Sequence, residues 1–164
     1  FGRLAGEAAA RWALAQGQPV AWSDAAAQTA VDGLLCPGGA DPEETRAQVR
    51  QAMALHCGIY RTAEGLRALG QLLAGLEDAG LAPEGGLCRV VEAVNMLQAA
   101  RLVALVAAER DESRGPHLRF PEDGGLQPIP RDDARWRRYL VLRRGPGEPT
   151  IEAREPLRPG VARG

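Results

Sequence analysis

Between Leu87 and Glu112 the apolar residues are so dense that a long buried helix is the structure that best accommodates them. Val90, Val91, Val94 and Leu97 recur at helical spacing and make one face. From Ala99 to Ala108 only Arg101 interrupts the apolar run. A helix apolar on every side belongs among other elements rather than on a surface. Gly115-Pro116 supplies the expected stop, because glycine accepts a left-handed cap and proline cannot continue a helix. Arg110 and Arg114 then fall where a helix C-terminus favours cations.

Such a helix needs partners, and the preceding sequence supplies two. Asp41-Pro42-Glu43-Glu44 combines an acidic N-cap, proline at the first helical position and acids in the first turn. The helix it starts should reach about His56, with Val49, Ala52 and Met53 inward, and Gly58 as its cap. Thr62 is the expected N-cap of the next helix, whose buried stripe is Leu66, Leu69, Leu73 and Leu76 and which ends near Gly80. The loop Leu81–Gly86 leads into the long helix. The fold class is therefore mainly α: an antiparallel three-helix bundle, spectrin-repeat-like, over residues 41–121.

The flanks read differently. Phe1–Gln16 is an Ala-rich helix that Gly17 caps and Pro19 ends. Residues 18–40 form a connector, in which Ser23 or Asp24 caps a short helix reaching Leu34 or Leu35, before a turn at Cys36-Pro37-Gly38-Gly39. Residues 122–164 hold a Pro- and Gly-rich loop to Pro130, a short turn capped by Asp132 or Asp133 that carries Trp136, and a small β-hairpin. Its strands are Tyr139–Arg143 and Pro149–Arg154, around a turn at Gly145-Pro146-Gly147. A lone hairpin is marginally stable, so this one should pack on the bundle or on another domain. Pro156–Gly164 is expected to be poorly ordered.

Three motifs, and more loosely the tail, resemble a known flavoprotein family. Glu112-Ser113-Arg114-Gly115, then His117, Arg119 and Phe120-Pro121, is similar to the end of the C-terminal helical domain shared by succinate dehydrogenase and fumarate reductase flavoproteins and L-aspartate oxidase. The family pattern places two residues, one of them acidic, between the last arginine and the aromatic; here Arg119 runs straight into Phe120. Gly58-Ile59-Tyr60-Arg61-Thr62 followed by Gly65-Leu66 resembles a second motif, and Phe1-Gly2-Arg3 with Ala5-Gly6 and Ala8-Ala9 a third. The tail, with Trp136, two strands and Glu155-Pro156-Leu157, is a looser match.

The resemblance implies that residues 1–17 close an upstream flavin-binding domain. It also implies that FAD and the catalytic residues lie upstream, and that this domain is inactive alone. The whole protein is then an FAD-dependent oxidoreductase acting on a dicarboxylate or amino dicarboxylate. The implied partners are the upstream flavin-binding and capping domains and, as a candidate, an iron–sulfur subunit. The implied location is the cytoplasm, with membrane association only through partner subunits. The competing class is a freestanding helical interaction module.

The residues themselves exclude several chemistries. Gly38-Gly39 and Gly85-Gly86 lack the G-x-G-x-x-G spacing after a strand, so no dinucleotide loop is readable, and no P-loop, G-x-S-x-G or H-E-x-x-H occurs. We expect no catalytic, cofactor-binding or metal-binding residue in this segment. Cys36, Cys57 and Cys88 form no C-x-x-C pair and read as buried free thiols. Every one of the 20 basic residues is arginine, in a chain rich in Ala, Gly and Pro, and the net charge is -1, which argues against a nucleic-acid partner. The basic stretch of Arg135, Arg137, Arg138, Arg143 and Arg144 alternates with Asp132, Asp133 and Glu148 and reads as a solvated or protein-docking face. The uncharged run Leu102–Ala108 is too short to span a bilayer, so no direct membrane insertion is expected. Phe1 in place of an initiator methionine suggests a fragment or domain, with processing of the chain as the alternative.

Arg61, Glu112, Ser113, Arg114, Gly115, His117 and Arg119 are the residues of interest, read as a structural knot rather than a substrate site. His56, at a predicted helix end, reads as a capping or surface residue. Arg61 starts the second bundle helix and Glu112 ends the third, so an Arg61–Glu112 ion pair is expected.

Overall fold

The computed structural model describes residues 2–17, 23–145 and 149–156. Phe1, Pro19 and the turn residues Pro146 and Gly147 lie outside them, as does the tail beyond Pro156. The chain divides into two units between Gly33 and Leu34. The first holds α1 (Gly2–Gln16), none of whose residues is buried, and α2 (Asp24–Asp32). Gly17 follows α1 at φ 71°, and Ser23 rather than Asp24 caps α2 by accepting from the backbone N–H of Ala26.

The second unit is built on three helices: α3 (Pro42–His56), α4 (Ala63–Asp78) and α5 (Leu87–Glu109). Asp41 accepts from Glu44 N at 2.8 Å and Thr62 from Gly65 N at 3.0 Å, so both expected N-caps are formed. Val49 and Ala52 of α3, Leu66, Leu69 and Leu73 of α4, and Leu97, Ala100, Ala104 and Ala107 of α5 make the main core. A smaller cluster joins Leu81, Val90 and Ala93 to Leu34 and Leu35. The end of the expected connector thus belongs to this unit. Cys36 N donates to Leu81 O, and Ala40 pairs with Leu81.

Gly58 is needed for space rather than for its φ. A Cβ there would stand 2.8 Å from the carbonyl oxygen of Ala54, as the chain folds back over the end of α3. That turn leads into an element the sequence did not reveal. β1 (Tyr60–Thr62) pairs in parallel with β2 (Leu118–Phe120), in the register Tyr60↔Leu118, Arg61↔Arg119, Thr62↔Phe120. The Tyr60 and Phe120 rings stack at 4.0 Å between centroids. The Tyr60 hydroxyl donates to Glu122 O, and the Thr62 hydroxyl to Asp123 Oδ1.

After β2 come the short α6 (Asp133–Trp136), capped by Asp132, and an antiparallel hairpin of β3 (Tyr139–Arg143) and β4 (Thr150–Arg154). The hairpin rests on α5 through β3.

Four expectations are corrected. Helix α5 ends at Glu109, not Glu112. Asp111 and Glu112 spend their carboxylates on tertiary hydrogen bonds that an extended chain can reach, and Arg110 is already extended at φ -82°, ψ 109°. Gly115 therefore caps no helix. At φ 57° it sits in a tight turn whose ends, Arg114 and His117, exchange both backbone hydrogen bonds.

The expectation that α5 is buried all round also fails. Leu102 is 37% exposed, Val103 49% and Leu105 36%, and these residues leave one apolar flank of the helix bare. By length and composition α5 is long and apolar enough to cross a membrane, with mean hydropathy 1.6 and a third of it buried. Leu102–Ala108 is only part of that apolar length, and α5 is the helix that packs on both α3 and α4. Finally, only Cys57 is a buried thiol; Cys36 and Cys88 are exposed.

Candidate functional site

The end of α5, the turn after it, β1 and α6 converge on two adjoining polar clusters. The first is built around Glu112, which is 1% exposed. Its Oε1 accepts from Arg110 Nη1 at 2.8 Å and Arg114 Nε at 2.6 Å, and its Oε2 from Arg114 Nη2 at 3.1 Å and the backbone N–H of Asp132 at 2.6 Å. Burial pushes the carboxyl up, but the donors from Arg114, Asp132 and Arg110 outweigh it and hold Glu112 below the ordinary carboxylate value.

The arginines of this cluster are themselves fixed. Arg110 also donates to Trp136 O and Arg138 O and lies over the Trp136 ring, 5.0 Å from its centroid. Arg114 reaches on to Asp133, which pairs with Arg131 as well, and these two arginines pull the Asp133 carboxyl down to about 2. Trp136 Nε1 and Arg135 take the two oxygens of Asp111. Part of the basic stretch is thus consumed inside the fold.

The second cluster contains Arg61, His117 and Arg119. Arg61 Nε and Nη2 donate to Cys57 O, while Nη1 donates to His117 Nδ1. His117 Nε2 lies 3.0 Å from Arg110 O. A guanidinium only donates and a carbonyl only accepts, so the ring is neutral with its proton on Nε2. Burial lowers the His117 pKa most, and the charges of Arg61, Arg119 and Arg110 lower it further, against the hydrogen bond to Arg110 O.

Arg119 is 5% exposed. Its Nη1 donates to Ala107 O, but its Nε has no hydrogen-bond partner. Its backbone is tied to Ser113, whose hydroxyl accepts from Arg119 N and donates to Arg119 O. Burial and the charge of Arg61 push the guanidinium down, partly offset by Asp111.

All seven residues singled out in the sequence gather here, but the expected Arg61–Glu112 pair does not form. In the parallel ladder Arg61 is in register with Arg119 and donates to His117, while Glu112, released from the helix, turns toward Asp132. The contributions of Asp111, Arg110, Asp132 and Trp136 were missed. Only the alternation of acids with arginines around Trp136 hinted at them.

A groove of about 400 Å³ opens beside the second cluster, lined by Leu102, Val103, Val106, Ala107 and Leu142 with Arg61, Arg110 and His117. Among the described residues no strand–turn–helix site for a dinucleotide is built. Gly85 and Gly86 precede α5 with φ 92°, but the segment before them forms no strand. Among the described residues no group of three His, Cys, Asp or Glu side chains is placed to hold a metal ion.

Residues 46–159 match the family described as fumarate reductase flavoprotein C-term. The chain is 34% identical to L-aspartate oxidase of Streptomyces coelicolor over 64% of its own length and 18% of that protein's. It is 30% identical to a subunit of the fumarate reductase (CoM/CoB) of Methanothermobacter marburgensis, over 88% of this chain and 27% of the other. Among solved structures it superposes on Mycobacterium smegmatis Sdh1 in complex with UQ1 with a TM-score of 0.76 at 29% identity, covering 97% of this chain and 28% of that one. For FrdA of Escherichia coli quinol fumarate reductase the TM-score is 0.71 at 28% identity, covering 94% and 28%. Adenylylsulfate reductase of Archaeoglobus fulgidus, at 19% identity and a TM-score of 0.75 over 96% and 28% of the two chains, shares the fold. The chain spans under a third of the length of each of these relatives.

Proposed function

Because the chain belongs to the C-terminal-domain family of fumarate reductase, succinate dehydrogenase and L-aspartate oxidase flavoproteins, we propose that its work is mechanical: it braces the flavin-bearing part of a longer oxidoreductase. The observation that carries this reading is the bare apolar flank of α5. A helix with this composition leaves Leu102, Val103 and Leu105 to solvent at a cost in free energy unless another surface covers them. The knot around Glu112 holds that flank and the hairpin in a fixed relation, and none of the seven motif residues binds substrate.

In the whole protein the upstream domains supply FAD, the dicarboxylate or amino dicarboxylate site and the hydride transfer. Residues 1–17 close the flavin-binding domain, and residues 41–121 form the helical domain proper. An iron–sulfur subunit is a candidate neighbour, in keeping with relatives named as parts of fumarate reductases. The location is cytoplasmic, with membrane association only through such partners.

The test is the intact mass and visible spectrum of the native protein recovered with an antibody against this segment. A flavin spectrum on a polypeptide several times longer, followed by turnover of succinate, fumarate or aspartate, is the expected result. A colourless protein of this size with no flavin-bearing partner would overturn it in favour of a freestanding interaction module.

A further inference from the structure

We propose that the corner formed by Arg61, His117 and Arg119, with the groove beside it, is the receptor for a carboxylate side chain carried on an apolar segment of the flavin-bearing part of the polypeptide. The inference rests on the function proposed above and names the contact by which the bracing is made.

Charge is the first ground. The β1–β2 register sets Arg61 beside Arg119, and like charges facing each other across paired strands repel. Neither guanidinium forms an ion pair with a described carboxylate. Arg61 spends its bonds on Cys57 O and His117, and Arg119 on Ala107 O. The nearby acid, Asp111, is already taken by Arg135 and Trp136. Arg119 is only 5% exposed and still carries an orphaned Nε–H. Buried charge is normally paired, and here the complement is an anion from outside the described fold.

Shape is the second ground. Arg61, Arg110 and His117 supply the polar lining of the groove, and Leu102, Val103, Val106, Ala107 and Leu142 its apolar lining. Arg119 stands behind it, bonded to the carbonyl of the wall residue Ala107. A small hydrophilic anion would leave those walls wet. A carboxylate on an aliphatic stem satisfies both the polar and the apolar lining, and the flank of Leu102, Val103 and Leu105 extends the apolar surface beyond what one small molecule covers. Because relatives carry more than twice this length of additional chain, a covalently attached partner is the occupant to which these features point.

Two experiments test it. In the first, this chain is melted in sodium hexanoate against sodium chloride at equal ionic strength. Hexanoate at about tenfold excess over its Kd should raise Tm on the order of 3 °C, and Arg61→Gln should abolish the rise. No rise, or an equal rise in Arg61→Gln, overturns the receptor. In the second, Arg61→Lys is made in the native full-length protein, giving this lysine-free stretch a single lysine. A water-soluble carbodiimide then joins it by an amide bond to whichever carboxylate it meets. Coupling to an acid outside residues 1–164 supports the proposal, and coupling only to acids within them overturns it. Hexanoate stabilisation without an external cross-link overturns the protein partner in favour of a lipid anion. If the full-length protein lacks flavin but both effects persist, the function falls while the receptor stands. A flavin-bearing protein with neither effect overturns the receptor alone.

Discussion

Glu112 and His117 lie five residues apart in sequence, and the clusters they anchor share Arg110, yet they solve opposite electrostatic problems. The Glu112 cluster is centred on a buried acid whose lone pairs are filled by two guanidiniums and a backbone N–H. The His117 cluster has cations on every side and avoids a further charge by keeping the imidazole neutral. The first is complete within the fold, while the second lacks an anion. Motif residues adjacent in sequence can thus serve different ends, one internal cohesion and the other recognition.

The largest expected effect is at the completed cluster. Glu112→Gln should destabilise the chain by about 3–5 kcal/mol, because it removes the buried acid of an ionic cluster, leaving Arg110 without a carboxylate and Arg114 with Asp133 alone. Urea unfolding measures this, and a loss under about 1 kcal/mol would place the two clusters on an equal footing.

Arg119→Met should cost far less in this chain, within about 1.5 kcal/mol of wild type. It gives up the hydrogen bond to Ala107 O but relieves the repulsion from Arg61. A loss as large as that of Glu112→Gln would show that Arg119 has an internal counter-charge after all.

The pH dependence separates the two clusters further. His117 has its folded pKa below the ordinary 6.5, so the unfolded chain binds the extra proton more readily. The stability it contributes is complete above pH 6.5 and is lost as pH falls from there through the lowered folded value. Glu112 is likewise lowered, from 4.5, so its contribution is complete above pH 4.5 and is lost as pH falls from there through its own lowered value. Denaturation midpoints between pH 8 and 5 should therefore decline in wild type. In His117→Gln, whose amide can accept from Arg61 and donate to Arg110 O, the contribution from this site should disappear. An unchanged slope in His117→Gln would assign the decline to another group.

The smallest effect is expected at the hairpin. Arg143 pairs with Glu152 at 3.4 Å on an exposed face, and Arg143→Ala should leave the melting temperature unchanged within error. A clear drop would mean that the hairpin anchors more of the fold than its exposure indicates.

What the sequence made legible was mostly local. Asp41 and Thr62 announce their helices because a side-chain oxygen placed before an apolar-periodic run has few other uses. The leucine stripe of α4 follows from spacing alone. The parallel pairing of Tyr60–Thr62 with Leu118–Phe120 was illegible, because three-residue strands carry too little periodicity and their partners lie 58 positions apart. That omission produced the mistaken Arg61–Glu112 pair. Once Arg61 is in register with Arg119, its reach toward His117 follows, and the acid is left to other arginines. The bare flank of α5 was misread for a related reason. Composition reports that a surface will be covered, but not whether the covering atoms belong to the same stretch of chain.

The β1–β2 ladder also bears on how the chain folds. It joins segments separated by all of α4 and α5, so the loop it closes is long and its ends meet late, whereas the two helices inside that loop can pair through a short connection. Loosening the ladder, as with Tyr60→Ala, should leave the refolding rate nearly unchanged and quicken unfolding, the behaviour of contacts formed after the rate-limiting barrier. The ladder is then a clasp: it contributes little to finding the native state and much to the lifetime of that state once reached.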